Sequence, residues 1–422
     1  MKLLSTKTKL ARQRIDELIA RRSTTYERAL PTAKRIVDSV RKGGDRALRR
    51  YAAQLDGYSQ QTPLRISEAE IQAAWQAASS ELKKALATAE KNIRSFAQRQ
   101  RPKEWDFAPA PGVKTGQRIR PLGAVGCYVP SGRYPLPSTL LMTVIPAQVA
   151  GVDRIVVVSP RPAPETLAAA AMLGVTEMYR LGGAQAIAAL AYGTETVARV
   201  DKIVGPGNAF VTAAKKLVAF DCAIDMLAGP TEIVVTSESG EAAEIAADLV
   251  AQAEHDPDAL AILVTTQTEL ARAVIAEVKQ RVRSNKIARE AIAPNGVAIV
   301  AQSTEEAQTI TNALAPEHLT VDSAEDLAWI TNAGSVFVGR YSAQPLGDYV
   351  SGPNHTLPTS GLARVRGGLS VMDFLKIVTV QEYSVEGLQR LGPAAIALAE
   401  AEGLLGHAEA IRVRSTLRRN NA

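Results

Sequence analysis

The chain holds four histidines in 422 residues, and each stands beside a carboxylate, an amide or a turn. His255 lies in "AQAEHD", His318 in "APEHLT", His355 in "GPNHTLPT" and His407 in "EGLLGHAE". A lone histidine so placed is more often structural. Four of them, with none spent elsewhere, suggest proton transfer or metal binding. Gln252 and His255 are three apart, so on a helix through "ADLVAQAEH" they leave one face a turn apart. That spacing suits an oxygen and a nitrogen ligand of one Zn²⁺ or similar borderline ion. The same stretch also reads as a plain helix end with Glu254 and Asp256 in water, and taken alone that reading is the stronger. "PLGDYVSGPNHTLPTSG" (345–361) adds Asp348 and His355 in a loop punctuated by Gly347, Gly352, Pro353 and Pro358. Long ordered loops of this kind often carry function. Asp348 is a candidate further ligand, and His407, in the carboxy-terminal tail, a candidate fourth. In "APEHL", Glu317 and His318 are adjacent and their side chains diverge, which favours two separate proton-transfer roles over one dyad. Glu317 alone also reads as a helix start after Pro316.

These residues need elements to hold them. Residues 5–100 read as helices. In "ISEAEIQAAWQAASSELKKALATAEKNIRSFAQRQR", Ser67 with Glu70 has the capping-box pattern, and Ile71, Ala74, Trp75 and Ala78 follow at helical spacing. A Pro- and Gly-bearing stretch then changes the organisation near residue 125. Beyond it, "RIVVVSP", "EIVVTS", "AILVTT", "GVAIVAQS" and "SVFVGR" are strand candidates with helical patterns between them. Apolar strands alternating with helices imply parallel sheets covered on both faces, with strands enough for two such units. After "GGLSVMDFLK" the chain reads as helical to its end. "VGPGNAFV" places Gly205, Gly207 and Asn208 before a helix, where backbone N–H groups could meet an anion, although tight turns use the same residues. "YRLGGAQAIAALAYGTE" is a second Gly-containing turn into a helix, and no GxGxxG is present.

Bulk properties narrow the function classes. A length of 422 residues predicts two to three domains, and 46% hydrophobic with 22% charged residues is an ordinary globular composition. The net charge of +6 is mild, and with 5% aromatics there is no basic, aromatic-laced stripe for nucleic acid. Two cysteines, Cys127 and Cys222, form no CxxC and fit a reducing compartment. The first residues lack a signal-peptide apolar run, and no stretch approaches a membrane span. A cytoplasmic protein that binds neither nucleic acid nor membrane is expected.

Together these stretches resemble the histidinol dehydrogenase family from about residue 30 to 415. The resemblance rests on "VGCYVPSGRYPLPSTLLMTVIPA", "GGAQAIAALAYGTE", "KIVGPGN", "DMLAGPTEIVV", "LVAQAEHDPDA", "APEHL", "GDYVSGPNHTLPTSGLAR", "GLSVMDF" and "EGLLGH", in this order. It implies an α/β fold of two incomplete Rossmann-like domains with mostly parallel sheets, helical terminal segments and an intertwined homodimer. The implied parts are an N-terminal helical segment (1–25), a discontinuous α/β domain with the metal and acid/base residues (26–127 plus 237–370), an NAD-contacting domain (128–236) and a helical tail (371–422) reaching the partner. It implies oxidation of L-histidinol to L-histidine in two NAD-linked steps, the last of histidine biosynthesis. One zinc per subunit would sit on Gln252, His255, Asp348 and His407, with Glu254 and Asp256 off the metal. His318 would be the general base and Glu317 the activator of water. Substrate contacts would come from Thr231, Gln252, His255, His318, Asp348, Glu402 and His407, and NAD contacts from Tyr128, Gln185 and Asn208. Glu402 and His407 would complete the partner's site. Two departures stand out: Ser131 where the family often has Gly, and Thr231 where it usually has Ser. The alternatives are a relative of the same fold acting on another small polar alcohol, such as a sulfonated diol with Arg133 as its one nearby cation, and a non-enzymatic zinc-stabilised or nucleic-acid-binding scaffold.

Overall fold

The structure is a computed structural model that describes residues 1–20, 25–132 and 134–416. In chain order the first elements are β1 (Lys2–Ser5), α1 (Lys9–Ala20), α2 (Thr25–Tyr51), α3 (Glu68–Ala77), α4 (Ser80–Gln100), β2 (Trp105–Ala110) and β3 (Val113–Pro121). Next come β4 (Ala124–Tyr128), α5 (Pro137–Ala150), β5 (Arg154–Val158), α6 (Pro164–Met172), β6 (Met178–Tyr179), α7 (Gly183–Tyr192), β7 (Lys202–Val204), α8 (Ala209–Val218) and β8 (Ala223–Ile224). Then follow β9 (Glu232–Thr236), α9 (Ala242–Ala253), β10 (Leu260–Thr265), α10 (Thr268–Arg281), α11 (Lys286–Asn295), β11 (Gly296–Val300), α12 (Thr304–Leu314), β12 (His318–Val321) and β13 (Ser335–Val338). The last are α13 (Gln344–Tyr349), β14 (Leu375–Tyr383), α14 (Val385–Ala401) and α15 (Leu405–Thr416). The chain divides into a large unit, residues 1–100 with 122–374, and a small one, 101–121 with 375 onward.

Two parallel sheets organise the large unit. The five-stranded sheet has the order β6-β5-β4-β7-β8 and the six-stranded sheet β1-β11-β10-β9-β12-β13. Apart from the extra edge strand β1, both follow a 3-2-1-4-5 sequence order. Their strands are continuous apolar runs because both faces are covered. In β10, Ala261 and Leu263 join Ile233, Val235 and Ala298 under α9, α10 and α11. The alternate residues Leu260, Ile262 and Val264 pack with Val234, Val297 and Ile299 against α1 and α12. The register fixes this sorting, Ile262 lying opposite both Val234 and Val297. On the five-stranded sheet, α2, α7 and α8 cover Tyr128, Val156, Val158 and Ile203. Helix α7 is buried from Ala184 through Ala191, as a helix apolar on all sides must be.

Several expected boundaries are redrawn. Lys2–Ser5 is not helical: it pairs in parallel with β11, Lys2 opposite Val297. The helices of segment 26–127 do not accompany the six-stranded sheet. Helix α2 packs on α7 and α8, α3 on α6, and α4 on α5, all on the five-stranded side. Strand β9, placed by sequence with the 128–236 segment, is central in the six-stranded sheet between β10 and β12. The tail from residue 371 is not all helical either. Strand β14 pairs antiparallel along the whole of β3, and β3 pairs with β2, making the small unit's three-stranded sheet. Ser67 does cap α3, accepting from the Glu70 N–H at 3.2 Å. Among the described residues no helix is long and apolar enough to cross a membrane.

In the small unit, Ser384 caps α14, accepting from Gly387 N–H, and α14 folds back on α15. Its apolar side chains are poorly covered: Ile377, Val378, Phe107, Leu398 and Leu405 are all exposed.

Candidate active site

One cavity of the large unit gathers Gly205, Lys215, Asp225, Thr231, Gln252, His255, Glu317, His318, Asp348 and His355 in its wall. Gly205 comes from just beyond β7 and lies against Tyr128 at the end of β4, the two strands between which the five-stranded order reverses. That crevice, at the carboxyl ends of parallel strands, is where such sheets take ligands. The opposite wall is built from residues that enter strands. Thr231 precedes β9, Glu317 precedes β12, and His318 is the first residue of β12.

The carboxylate and imidazole are fixed by the chain around them. Glu317 Oε2 accepts from the Thr231 hydroxyl and from Glu232 N–H at 2.8 Å. Thr231 Oγ1 in turn accepts from Gln252 Nε2, which fixes the Gln252 amide and leaves its Oε1 buried with no partner. His318 Nδ1 lies 3.2 Å from the Glu232 carbonyl oxygen. A carbonyl can only accept, which favours the proton on Nδ1 and Nε2 as the basic nitrogen, with Gln252 Nε2 also 3.3 Å from Nδ1. Nε2 stands 3.6 Å from Asp348 Oδ1, and the ring stacks on Phe337 with centroids 6.0 Å apart. Burial lowers the His318 pKa, but Glu317 and Asp348 outweigh it and push it up to about 10. Burial would raise Asp348, yet its contacts with His318 and the nearby His355 hold it below the ordinary carboxylate value. His355 is different: burial depresses it, Nδ1 bonds the Asp348 carbonyl oxygen at 2.8 Å, and Nε2 lies 3.2 Å from Thr139 Oγ1. It is a neutral brace between α5 and the 345–361 loop.

The expected metal residues fall in two places. Gln252, His255 and Asp348 share the cavity. Glu402 and His407 belong to the small unit, at the end of α14 and in α15, where they line a shallow cleft with Leu398 and Leu404. Among the described residues no three His, Cys, Asp or Glu side chains are grouped to hold a metal by themselves. The orphaned Gln252 Oε1 is the observation that fits a cation, since a buried oxygen without a donor is otherwise costly. With the His255 nitrogen and the Asp348 carboxylate it makes a donor set suited to zinc. Glu254 is engaged elsewhere, accepting from Asn285 Nδ2 at 2.7 Å.

The three residues expected to contact a dinucleotide are tied into the protein. Tyr128 is buried with its hydroxyl accepting from Gly183 N–H at 3.1 Å. Gln185 is buried and donates to Asp56 at 3.0 Å, its Oε1 unpartnered. Asn208 caps α8, its Oδ1 accepting from Phe210 and Val211 N–H. The thiols are not reactive: burial pushes Cys127 up to about 12 and Cys222 to about 11. Residues that sequence reasoning missed include Lys215 and Asp225, a buried ion pair in the cavity wall, and Gln344, which donates to Asp348 Oδ2 at 2.8 Å. Nothing in their local sequence singles them out.

Known proteins resemble this chain along nearly its whole length. The sequence model of the histidinol dehydrogenase family matches residues 19–415. A histidinol dehydrogenase of Methanothermobacter thermautotrophicus is 46% identical over 419 residues, covering 95% of this chain and 97% of its own. One from Geobacillus kaustophilus is 48% identical over 391 residues, covering 90% and 92%. The crystal structure of the Elizabethkingia anophelis histidinol dehydrogenase superposes with a TM-score of 0.92 at 35% identity, covering 100% of this chain and 99% of that one. An acetylating aldehyde dehydrogenase from Geobacillus thermoglucosidasius, 14% identical with a TM-score of 0.50, shares the fold alone. With the family model matched over residues 19–415 and relatives 46% and 48% identical over nearly the whole chain, the chain belongs to the histidinol dehydrogenase family.

Proposed function

We propose that this chain oxidises L-histidinol through L-histidinal to L-histidine, with zinc and NAD, as a cytoplasmic enzyme of histidine biosynthesis. The observation that carries the reading is the buried, unpartnered Gln252 Oε1 in one cavity with His255, Asp348, Glu317 and His318. The family membership supports it. When bound, zinc would orient the imidazole and amine of the substrate, and NAD would take up a hydride in each oxidation. His318 accepts the alcohol proton at Nε2, its Nδ1–H being held on the Glu232 carbonyl oxygen. Glu317, clamped through Oε2 by Thr231 and Glu232, deprotonates the water that attacks the aldehyde. His318 must be neutral to act; Glu317 and Asp348 both raise it, and a bound cation would offset the Asp348 part. The shared 3-2-1-4-5 order supports two Rossmann-like halves, with NAD at the β4/β7 crevice near Tyr128, Gln185 and Asn208. The exposed apolar side chains of the small unit support a homodimer in which Glu402 and His407 complete the partner's site.

A sulfonated-diol substrate calls for extra cations in the pocket. Arg133 lies outside the described residues, and Lys215, the one lysine or arginine among the described lining residues, is bound to Asp225 and to the Gly205 carbonyl oxygen. The test is incubation of the zinc-loaded protein with L-histidinol and NAD while NADH absorbance is followed. Two NADH per histidinol, abolished by His318→Ala or by zinc chelation, is the expected result. Turnover of another amino alcohol or a diol, with none of histidinol, would refute it.

A further inference from the structure

The three metal-ligand candidates of the cavity stand on two helices. Gln252 is on α9 with His255 just beyond its end, and Asp348 is on α13. One buried side chain, Gln344, holds the carboxylate among these candidates. Gln344 begins α13, is buried, and lies four residues before Asp348, on the same helix face. Its Nε2 donates to Asp348 Oδ2 at 2.8 Å, which orients the carboxylate with Oδ1 toward His318 Nε2. Ala343, the residue before α13, offers no side-chain cap.

Packing alone does not account for this glutamine. Gln344 Oε1 is buried without a partner, a penalty that an apolar side chain of similar size would avoid. The side chain serves the carboxylate it holds. Ligating carboxylates are oriented by such outer hydrogen bonds, and losing one weakens metal binding.

We propose that Gln344 is a positioning residue that presets the Asp348 carboxylate for a divalent metal ion. This rests on the metal reading above and names the support that reading lacked. The test uses the full chain, stripped of metal, as wild type and Gln344→Met. Zinc affinity is read by competition with a chromophoric chelator, the visible bands of the Co²⁺-loaded protein report ligand geometry, and urea unfolding reports metal-free stability. Gln344→Met is expected to weaken zinc binding by about ten- to a hundredfold and to shift the Co²⁺ bands. Its metal-free urea midpoint should change little, the removal of the orphaned oxygen offsetting the donor that Asp348 Oδ2 loses. Zinc binding within about threefold of wild type and an unshifted Co²⁺ spectrum in Gln344→Met would overturn the proposal. So would a loss of affinity that merely parallels a loss of metal-free stability. A wild type that binds no zinc would remove the metal reading itself, and this inference with it.

Discussion

Asp56 shows how far a single buried carboxyl can be taken from its ordinary state. It accepts from Gly182 N–H at 3.2 Å and from Gln185 Nε2 at 3.0 Å, so it caps α7 from a distant part of the chain. Burial dominates these bonds and raises its pKa from 3.8 to about 6. The folded state therefore holds the proton more tightly than the unfolded chain. That contribution to stability is complete below 3.8 and is lost as pH rises through about 6. The loss is on the order of 3 kcal/mol at most. Asp56→Asn removes the titration, so wild type should lose urea resistance relative to Asp56→Asn between pH 4 and pH 8. Unfolding curves across that range check it, and a pH-independent difference would refute it. At this scale the sequence is legible where side-chain type announces chemistry, as with Gln252, His255, Asp348, Glu317 and His318. Asp56 and Gln344 could not be found that way. Each is an ordinary polar residue whose meaning comes from its partners, Gly182 and Gln185 for Asp56 and Asp348 for Gln344.

Among the elements, the turn between β7 and α8 is the most tightly specified. Gly205 has φ of +107°, and a Cβ there would fall 2.2 Å from the Tyr128 carbonyl oxygen. Both polar groups of this glycine are held by one buried ion pair. Its N–H donates to Asp225 Oδ2 at 2.8 Å, and its carbonyl oxygen accepts from Lys215 Nζ at 2.9 Å. Lys215→Met leaves Asp225 buried and uncompensated and should destabilise the protein by about 3–5 kcal/mol. The double change Lys215→Met with Asp225→Asn leaves no buried charge and should recover a large part of that loss. Equal urea midpoints for the single and double variants would refute the account. Strands β5, β9, β10 and β11 are legible because parallel pairing buries both faces and leaves unbroken apolar runs. Strand β14 is not legible: "LKIVTVQEY" is exposed along nearly its whole length and gains its register only from β3. Asn208 was expected to face a dinucleotide, and in the chain alone it serves as a helix cap, a use that the same residue type fits equally well.

At the scale of the large unit, the cavity lies where the carboxyl ends of one sheet meet the amino ends of strands in the other. This explains why its residues come from sequence positions as far apart as Gly205 and Asp348. The same tertiary logic hid β1. "KLLS" is four residues long, resembles the start of the helix that follows, and pairs with Val297–Val300. It also does something the site does not require. Without it, β11 would present a row of unpaired backbone groups at the margin of an apolar, parallel sheet, the template on which chains polymerise. Strand β1 is thus a selvedge that keeps the sheet from growing into a second molecule. Deleting residues 1–5 should leave the cavity residues in place yet turn the protein toward concentration-dependent, thioflavin-positive assembly, which light scattering would register. A truncated protein as clear in solution as the full chain would show that the margin is guarded by something else.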